Sequence, residues 1–338
     1  MTAVASPTAM KDPRAASLIR SSLVWENHCC MPFDDAPEWM CQLSRYRRSG
    51  FDVVHVNVGD SDIPLEGMVR TTAAFRAWLR ERPDEYVIVT SAEDIEAAHA
   101  SGRLGVCFDI EGAHAFGTDL SLISMFYDLG VRWLLMAYNC GNAVGAGCHD
   151  AVDAGLTDFG RAFVREMDRV GMIKDVAHTG YRTAREVIDS SPAPVNISHS
   201  NPRALHDHPR CVPDDLMKAC AASGGVMGIT GLSLFLPNGD TGTETFVRSI
   251  DYSIGLMGVD HVGFGLDFVF DQRNLGQDFQ RNRRIWPEGF GYESDVRFVP
   301  PERLEEIVES LFRLGYPAAD IAKVVGGNFL RVARQVWK

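Results

Sequence analysis

The sequence predicts a (β/α)8 barrel that forms a single domain of 338 residues. Two observations predict it. Short apolar runs rich in β-branched residues alternate with amphipathic helical segments along the chain. Several of these runs also end in residues that bind metals or exchange protons, and parallel barrels hold their active sites at that end of the strands. A doubly wound open sheet is the alternative, although no GxGxxG turn follows the first strand.

The predicted strands are short, apolar and bounded by turn residues. In chain order they cover residues 23–27, 52–58, 104–110, 132–138, 172–177, 195–198, 225–229 and 261–266. The clearest helical patterns cover residues 37–48, 120–129, 158–170, 182–189, 213–222 and 244–257. Further helices are expected at residues 301–314 and 318–325, and a Gly-Gly-Asn break precedes the last helix, residues 329–337.

Two segments lie outside this alternation. Residues 1–20 have no apolar centre, so they are expected to form a loose arm or an early surface helix and not a secretory signal. Residues 268–300 form a long loop rich in glycine, arginine and aromatic residues, and loops of this length are usually lids or binding loops.

Composition excludes some partners and indicates a compartment. The net charge is −12 and the pI about 5.3, which argues against binding to nucleic acid. No apolar run is long enough to cross a membrane. The eight cysteines form no CxxC pair, so we expect reduced thiols in the cytoplasm.

Two histidines indicate where the chemistry lies. His178 follows the apolar run from Met172, and His199 ends the run from Val195, with a helical segment between the two runs. Because parallel strands joined by helices end on one rim, both imidazoles are expected there, where they can share a metal ion.

Other predicted strands also deliver metal-ligand or titratable residues to this rim. Strand one ends near His28 and Cys30, and Glu111, Tyr138 and Asp267 end the third, fourth and eighth strands. Glu111 is placed to bridge two ions, with His178 and His199 on one ion. His28 and Cys30, two apart in an extended chain, can face the other. Two metal ions held in this way activate the water molecule that lies between them.

Each of these residues also has an ordinary structural interpretation. A histidine at a strand end is often only hydrogen-bonded, Cys30 can be a buried thiol, Asp267 can cap a helix, and Arg210 can be a surface charge. The joint placement of Glu111, His178 and His199 favours a metal site.

Taken together, these motifs resemble the membrane (renal-type) dipeptidases, metallopeptidase family M19. The resemblance covers nearly the whole chain in order. Its motifs are residues 110–112, 155–160, 171–178, 196–201 with 203–205 and 208–210, 258–267 and 327–331.

The resemblance implies a (β/α)8 barrel, usually a homodimer, that holds two zinc ions and hydrolyses dipeptides and related amides with a free carboxylate. Glu111 resembles the bridging carboxylate, and His178 and His199 the ligands of one zinc ion. Arg210 resembles the residue that grips the substrate carboxylate, and Asp267 the acid/base beside the bridging water.

Two positions depart from the family pattern. Cys30 occupies the place of a ligand aspartate, and Tyr138 that of a histidine that polarises the scissile carbonyl. A thiolate binds zinc well, so Cys30 can hold the second ion, or that ion is weak or absent. A tyrosine hydroxyl can still donate a hydrogen bond to an oxyanion.

The sequence therefore predicts a zinc hydrolase with one or two ions, in which a metal-bound water attacks the amide bond of a small, carboxylate-bearing substrate. Two alternatives remain open. The same barrel can hydrolyse a non-peptide amide, lactam or lactone, or it can retain a metal and bind a small molecule without hydrolysing it.

Overall fold

Eight short strands pair in parallel around a closed barrel in the computed structural model, which describes residues 12–33, 37–273, 275–293 and 295–338. Two further strands pair at its edges. In chain order the strands are β1 (Trp25–Cys30), β2 (Val53–Asn57), β3 (Tyr86–Ile88), β4 (Leu104–Ile110), β5 (Val131–Leu135), β6 (Ile173–Asp175), β7 (Val195–Ser200), β8 (Met227–Ile229), β9 (Val262–Phe264) and β10 (Phe268–Val269).

Closure of the barrel depends on the first and last of these strands. β1 pairs with β2 on one side and, through Glu26 and Phe264, with β9 on the other. The Glu26 carboxylate strengthens this junction, because its Oε1 accepts hydrogen bonds from the backbone N–H groups of His28 and Leu266. The (β/α)8 prediction is confirmed, and the alternative of an open sheet is wrong.

Helices cover the outside of the barrel and connect successive strands. In chain order they are α1 (Pro13–Ser21), α2 (Pro37–Met40), α3 (Leu43–Ser49), α4 (Leu65–Arg80), α5 (Ala92–Ser101), α6 (Ser121–Asp128), α7 (Asp158–Val170), α8 (Tyr181–Ser190), α9 (Asp214–Ala222), α10 (Thr243–Met257), α11 (Leu275–Arg281), α12 (Leu304–Arg313), α13 (Ala318–Ala322) and α14 (Asn328–Val336).

The unit β6–α8–β7 has the arrangement that the sequence predicts. Lys174 and Asp175 of β6 pair in parallel with Val195 and Asn196 of β7. Gly171, with φ of +87°, ends α7 and turns the chain directly into this unit. The carboxyl ends of both strands therefore reach the same rim.

The N-terminal segment is packed from residue 13 onward. Asp12 caps α1, whose Ala15 and Leu18 are buried, and the Arg14 guanidinium lies 4.4 Å from the ring centre of Phe312 in α12. This helix corresponds to the early surface helix that was one of the two expectations for residues 1–20. Residues 1–11, the rest of the expected arm, lie outside the described residues.

Several predicted boundaries need correction. β1 begins two residues later than expected and extends through Cys30, because it pairs with β2 and with β10. The predicted helix over residues 37–48 is two helices, α2 and α3. Residues 268–300 are not wholly loop, since they contain β10 and α11.

Two features were not expected from the sequence. β3 pairs with the first half of β4, from Leu104 to Val106, next to where β5 pairs with the second half. The expected break at residues 326–328 is present as a kink at Gly326, where the backbone leaves the helical region, but the π-helical turn Lys323–Gly327 around it was not expected. Among the described residues, no helix combines the length and the apolar character needed to cross a membrane.

Candidate metal centre

Glu111 lies at the centre of a buried group of imidazoles on the barrel rim. Its Oε1 atom is 3.2 Å from His199 Nε2, 3.4 Å from His178 Nε2 and 3.5 Å from His28 Nε2. None of these contacts has hydrogen-bond geometry, so within the described part of the chain this buried oxygen has no hydrogen-bond partner. Asn57 donates a hydrogen bond of 3.0 Å to the other oxygen, Oε2.

Two groups of side chains have ligand atoms that all lie within 4.8 Å of one another. One group is His28, Glu111 and His199, and the other is His28, Cys30 and Asp267. His178 adjoins the first group, because its Nε2 lies 2.8 Å from His199 Nε2. Nitrogen, oxygen and sulfur ligands of this kind suit zinc or a similar divalent ion.

The protonation states of Glu111, His178 and His199 match those that metal ligands need. Burial alone would raise the pKa of Glu111, but the charge of His28 and contacts with the three imidazoles hold it well below its usual range. Burial lowers the pKa of His178 well below its usual value and that of His199 to about 3. An ionised carboxylate therefore faces the neutral imidazoles of His178 and His199, which are the forms that bind metals. Burial alone would lower the pKa of His28, but the acidic groups Cys30, Glu111 and Asp109 raise it well above its usual value, so His28 would release a proton on binding a metal.

Each imidazole is held by a polar residue that sequence reasoning missed. Asn139 Oδ1 lies 2.7 Å from His178 Nδ1, and because an amide oxygen only accepts, Nδ1 carries the proton and Nε2 keeps its lone pair. Asp109 Oδ2 lies 3.2 Å from His28 Nδ1, and Ser198 Oγ lies 2.8 Å from His199 Nδ1. Such partners fix the ring orientation of metal ligands.

Cys30 and His28 are neighbours, as their spacing in an extended strand predicts. Cys30 Sγ is 3.3 Å from His28 Nε2 and 3.7 Å from Asp267 Oδ1. Burial raises the pKa of the Cys30 thiol, so without a cation the sulfur keeps its proton. Burial also raises the pKa of Asp267, to about 6.

The backbone is strained at this rim. The described residues include four non-glycine residues with positive φ, and three of them, Asn139, His178 and Asp267, lie at the site with φ of 56–57°. The left-handed backbone conformation costs about 1 kcal/mol of free energy for most residues other than glycine, and residues in this conformation are concentrated at functional sites. A strand, β10, follows Asp267 directly, so this residue does not cap a helix. Its carboxylate faces the centre, because its Oδ1 atom contacts Cys30 Sγ.

Glycine permits the close approach of the strands that carry the ligands. A Cβ atom on Gly265 would lie 2.1 Å from the Ser198 carbonyl oxygen and 3.1 Å from His199 Cβ. Any larger residue at this position would push β7, and with it His199, away from the centre.

Tyr138 covers one face of the centre. Its ring stacks on the His178 ring, with the ring centres 4.2 Å apart. Burial raises the pKa of Tyr138 well above its usual value, so the hydroxyl stays protonated and can donate a hydrogen bond. The strand predicted to end at Tyr138 ends at Leu135, and Tyr138 lies in the loop that follows.

Arg210 is buried beside the same imidazoles and is not a surface charge. One of its terminal nitrogens donates a hydrogen bond of 3.2 Å to the backbone oxygen of His199, and its guanidinium lies 5.0 Å from the ring centre of Phe235. Its Nε atom has no hydrogen-bond partner among the described residues.

Two cavities meet at His178. The first, of about 490 Å³, is lined by Cys30, Glu111, Tyr138 and Asp267, among others. The second, of about 390 Å³, has Arg210 in its wall. The residues predicted from the sequence are therefore brought together by the structure, with Arg210 in the wall of the second cavity and its guanidinium next to Phe235, which lines the first.

A closed parallel barrel with metal-ligand side chains at the carboxyl ends of its strands defines a class, that of the metal-dependent hydrolase barrels. Residues 61–283 match the family model described as membrane dipeptidase (peptidase family M19). The chain therefore belongs to this family, which confirms the resemblance seen in its motifs.

Two curated relatives are named dipeptidases. The chain is 33% identical over 261 residues to dipeptidase aclJ of Aspergillus oryzae, covering 75% of this chain and 57% of that protein. It is 34% identical over 245 residues to an uncharacterized dipeptidase of Schizosaccharomyces pombe, covering 71% and 53%. The chain thus matches little more than half the length of these relatives.

Solved structures share the whole fold. An amidohydrolase from Pseudomonas aeruginosa superposes with a TM-score of 0.87 at 29% identity, over 96% of this chain and 99% of that one. A metallo peptidase from Rhodobacter sphaeroides, liganded with a phosphinate mimic of the dipeptide L-Ala-D-Ala, gives a TM-score of 0.75 at 19% identity, over 94% and 100%.

Proposed function

We propose that the chain is a zinc-dependent hydrolase that cleaves the amide bond of a dipeptide or a dipeptide-like small molecule with a free carboxylate. One observation carries this proposal. The ionised Glu111 carboxylate has a buried oxygen without a hydrogen-bond partner among the described residues, and three imidazole Nε2 atoms surround it. A cation satisfies such an arrangement, and family membership indicates which chemistry the cation serves.

Glu111, His178 and His199 would hold one ion, and His28 and Cys30 the other, with Glu111 between them. When bound, the two ions would polarise the scissile carbonyl and make a water molecule between them more acidic. The thiol of Cys30 binds as a thiolate, so binding at this site releases a proton.

Asp267 is suited to move the proton. Its pKa of about 6 lies close to neutral pH, where a carboxylate can both accept a proton from the attacking water and pass it to the leaving nitrogen. Its Oδ1 lies 3.6 Å from His28 Nε2, and this closeness to a proposed metal ligand supports the role.

Tyr138 and Arg210 would orient the substrate and stabilise the charge that develops on it. The protonated hydroxyl of Tyr138 donates a hydrogen bond to the oxyanion, a contribution that is worth about 100- to 1,000-fold in kcat at other oxyanion sites. Arg210, in the wall of the second cavity, would hold the free carboxylate of the residue that leaves.

The test is hydrolysis by protein of known zinc content. Protein stripped with a chelator and reloaded with zinc is assayed for release of free amino acids from Ala-Ala with L or D alanine at the second position. The relative liganded with a mimic of L-Ala-D-Ala makes that dipeptide the first probe. We expect turnover only after zinc is restored.

Tyr138→Phe provides the matched variant, because it removes one hydroxyl and keeps the ring that stacks on His178. We expect kcat to fall and KM to change little. Protein that binds no zinc would contradict the proposal. Zinc-loaded protein without activity on any dipeptide would favour a lactam, a lactone or simple ligand binding.

A further inference from the structure

The first cavity is larger and more apolar than hydrolysis of a small dipeptide requires. Its volume of about 490 Å³ lies in the range of pockets that enclose drug-sized ligands. Metal-centre residues line one side of it. Away from the centre its walls are mostly apolar and carry residues from the segments after β1 and β2 and from residues 268–300.

Five of these residues define what we call the aromatic pocket: Phe33, Ile63, Leu275, Phe279 and Trp286. Phe279 and Trp286 form its outer wall, with ring centres 5.1 Å apart. The Trp286 ring meets the Tyr138 ring edge-on at 6.2 Å, so the aromatic surface continues to the metal centre.

Hydrogen bonds hold the outer wall in place over the cavity. Asn282 donates a hydrogen bond of 2.8 Å to Asp62 Oδ1 on the opposite rim. The backbone N–H of Trp286 donates to the Asn282 carbonyl oxygen at 3.0 Å, which fixes the turn that carries the indole. The thiol of Cys140 lies 2.8 Å from the Arg284 carbonyl oxygen. These contacts within the chain hold the wall that carries Phe279 and Trp286.

The charges on the rim are mainly negative. Asp62 and Asp271 line the cavity together with one arginine, Arg281, and burial raises the pKa of a third lining aspartate, Asp60, to about 7. An acidic side chain in this cavity would meet these carboxylates as well as an apolar wall, and both effects would disfavour it.

Arg210 indicates which part of the substrate enters the aromatic pocket. Arg210 lies in the wall of the second cavity, whereas Cys30 and Asp267 face the first. With the free carboxylate of the leaving residue held toward Arg210, the acyl residue on the other side of the scissile bond points into the first cavity.

We propose that the aromatic pocket binds the side chain of the acyl residue, and that the preferred substrates carry a large apolar side chain there, above all an aromatic one. This inference rests on the proposed hydrolase function, because it names the substrate class of the same site.

The experiment compares dipeptides that share one leaving residue. The zinc-loaded protein is assayed with Ala-Ala, Leu-Ala, Phe-Ala and Glu-Ala, and with Ala-Phe as the reversed sequence. We expect kcat/KM for Phe-Ala to exceed that for Ala-Ala by about 10- to 100-fold, which corresponds to burial of an aromatic side chain. The increase in kcat/KM over Ala-Ala should be much smaller for Ala-Phe, and Glu-Ala should have the lowest kcat/KM of the five dipeptides.

Variants locate the preference in the aromatic pocket. In Trp286→Ala and Phe279→Ala the ratio of kcat/KM for Phe-Ala to that for Ala-Ala should fall about tenfold. Phe290→Ala is the matched control, because Phe290 lies on the same segment, is half-exposed and lies outside the cavity lining. Its ratio should equal that of the wild type.

The outcomes separate this inference from the function on which it rests. Equal kcat/KM for Phe-Ala and Ala-Ala in the wild type overturns the aromatic pocket and leaves the hydrolase standing. No hydrolysis of any dipeptide by zinc-loaded protein overturns both. If an alanine variant does not fold, Trp286→Leu and Phe279→Leu replace it, and a ratio unchanged in both also overturns the pocket.

Discussion

The Nε2 atoms of His178 and His199 lie only 2.8 Å apart, and both lie within 3.4 Å of Glu111 Oε1. Asn139 fixes the proton of His178 on Nδ1, so the lone pair of its Nε2 faces the other imidazole and the carboxylate. His178 Nε2 can therefore accept a hydrogen bond from His199 Nε2 when the Ser198 hydroxyl donates to His199 Nδ1, and a cation that binds both Nε2 atoms would replace the shared proton.

Glu111→Gln should therefore empty the centre. The amide keeps the shape of the side chain and can still accept the hydrogen bond from Asn57, but it loses the charge that both proposed ions share. We expect the affinity for zinc to fall at least about 100-fold. Elemental analysis after dialysis should therefore find little bound zinc, and activity should be lost in parallel. Glu66→Gln, an exposed change on α4, is the control.

A chelator should have the same effect on the wild-type protein. Its removal of zinc should abolish hydrolysis, and added zinc should restore it. Undiminished zinc content in Glu111→Gln would contradict the role of Glu111 as a shared ligand.

Cobalt tests whether Cys30 is a metal ligand without any activity assay. Cobalt(II) bound to a thiolate has a charge-transfer absorption in the near ultraviolet. We expect this band in wild-type protein loaded with cobalt, because Cys30 Sγ lies 3.3 Å from His28 Nε2. We expect it to vanish in Cys30→Asp, which restores a carboxylate ligand at this position.

Cys148→Ser is the control, because Cys148 lines the second cavity and not the first. Its cobalt complex should keep the band. A wild-type spectrum without the band, or a band that survives in Cys30→Asp, would show that the ion is held without the thiolate.

The sequence was sufficient to predict the fold and the convergence of Glu111, His178 and His199. Both follow from one geometric fact, since parallel strands joined by helices must end on one rim. The same reasoning placed His28 beside Cys30, because residues two apart in a strand face the same side.

The residues that orient the ligands could not be found in this way. Asn139 and Ser198 are ordinary polar residues in the sequence, and only the folded chain shows that their oxygens meet His178 and His199. Asp109 did carry a signal, because it lies two residues before Glu111 on β4 and so faces the same side. β3 and the position of Arg210 depend on tertiary packing that no local pattern reveals.

Asp109 should control how tightly His28 holds its ion. Its carboxylate lies 3.2 Å from His28 Nδ1 in a buried environment. We expect Asp109→Ala to weaken zinc binding by about 10- to 100-fold, as is usual when the partner of a ligand histidine is removed. Competition with a chromogenic chelator measures the affinity.

Asp109→Asn separates hydrogen bonding from packing. The amide oxygen can still accept a hydrogen bond from Nδ1, so the loss of affinity should be smaller than in Asp109→Ala. Equal affinity in Asp109→Ala and the wild type would exclude a role for this carboxylate in orienting His28.

His149 should make the protein less stable as the pH falls. Burial lowers its pKa from 6.5 to about 4, and its Nε2 lies 2.8 Å from the Tyr292 hydroxyl. Between pH 6.5 and about pH 4 the imidazole of His149 is protonated in the unfolded chain but stays neutral in the folded protein. The free energy of unfolding therefore decreases as the pH is lowered, and this group contributes at most about 3 kcal/mol to the decrease. Above pH 6.5 both states are neutral and the effect disappears.

His149→Gln removes this proton uptake while its amide can still bond to the Tyr292 hydroxyl. Urea unfolding of metal-free protein at pH 7.5 and at pH 5, followed by tryptophan fluorescence, measures the free energy of unfolding. The wild type should lose more stability than the variant on acidification, because only the wild type has the imidazole that must stay neutral. An equal loss in both proteins would mean that His149 takes up its proton in the folded state as readily as in the unfolded chain.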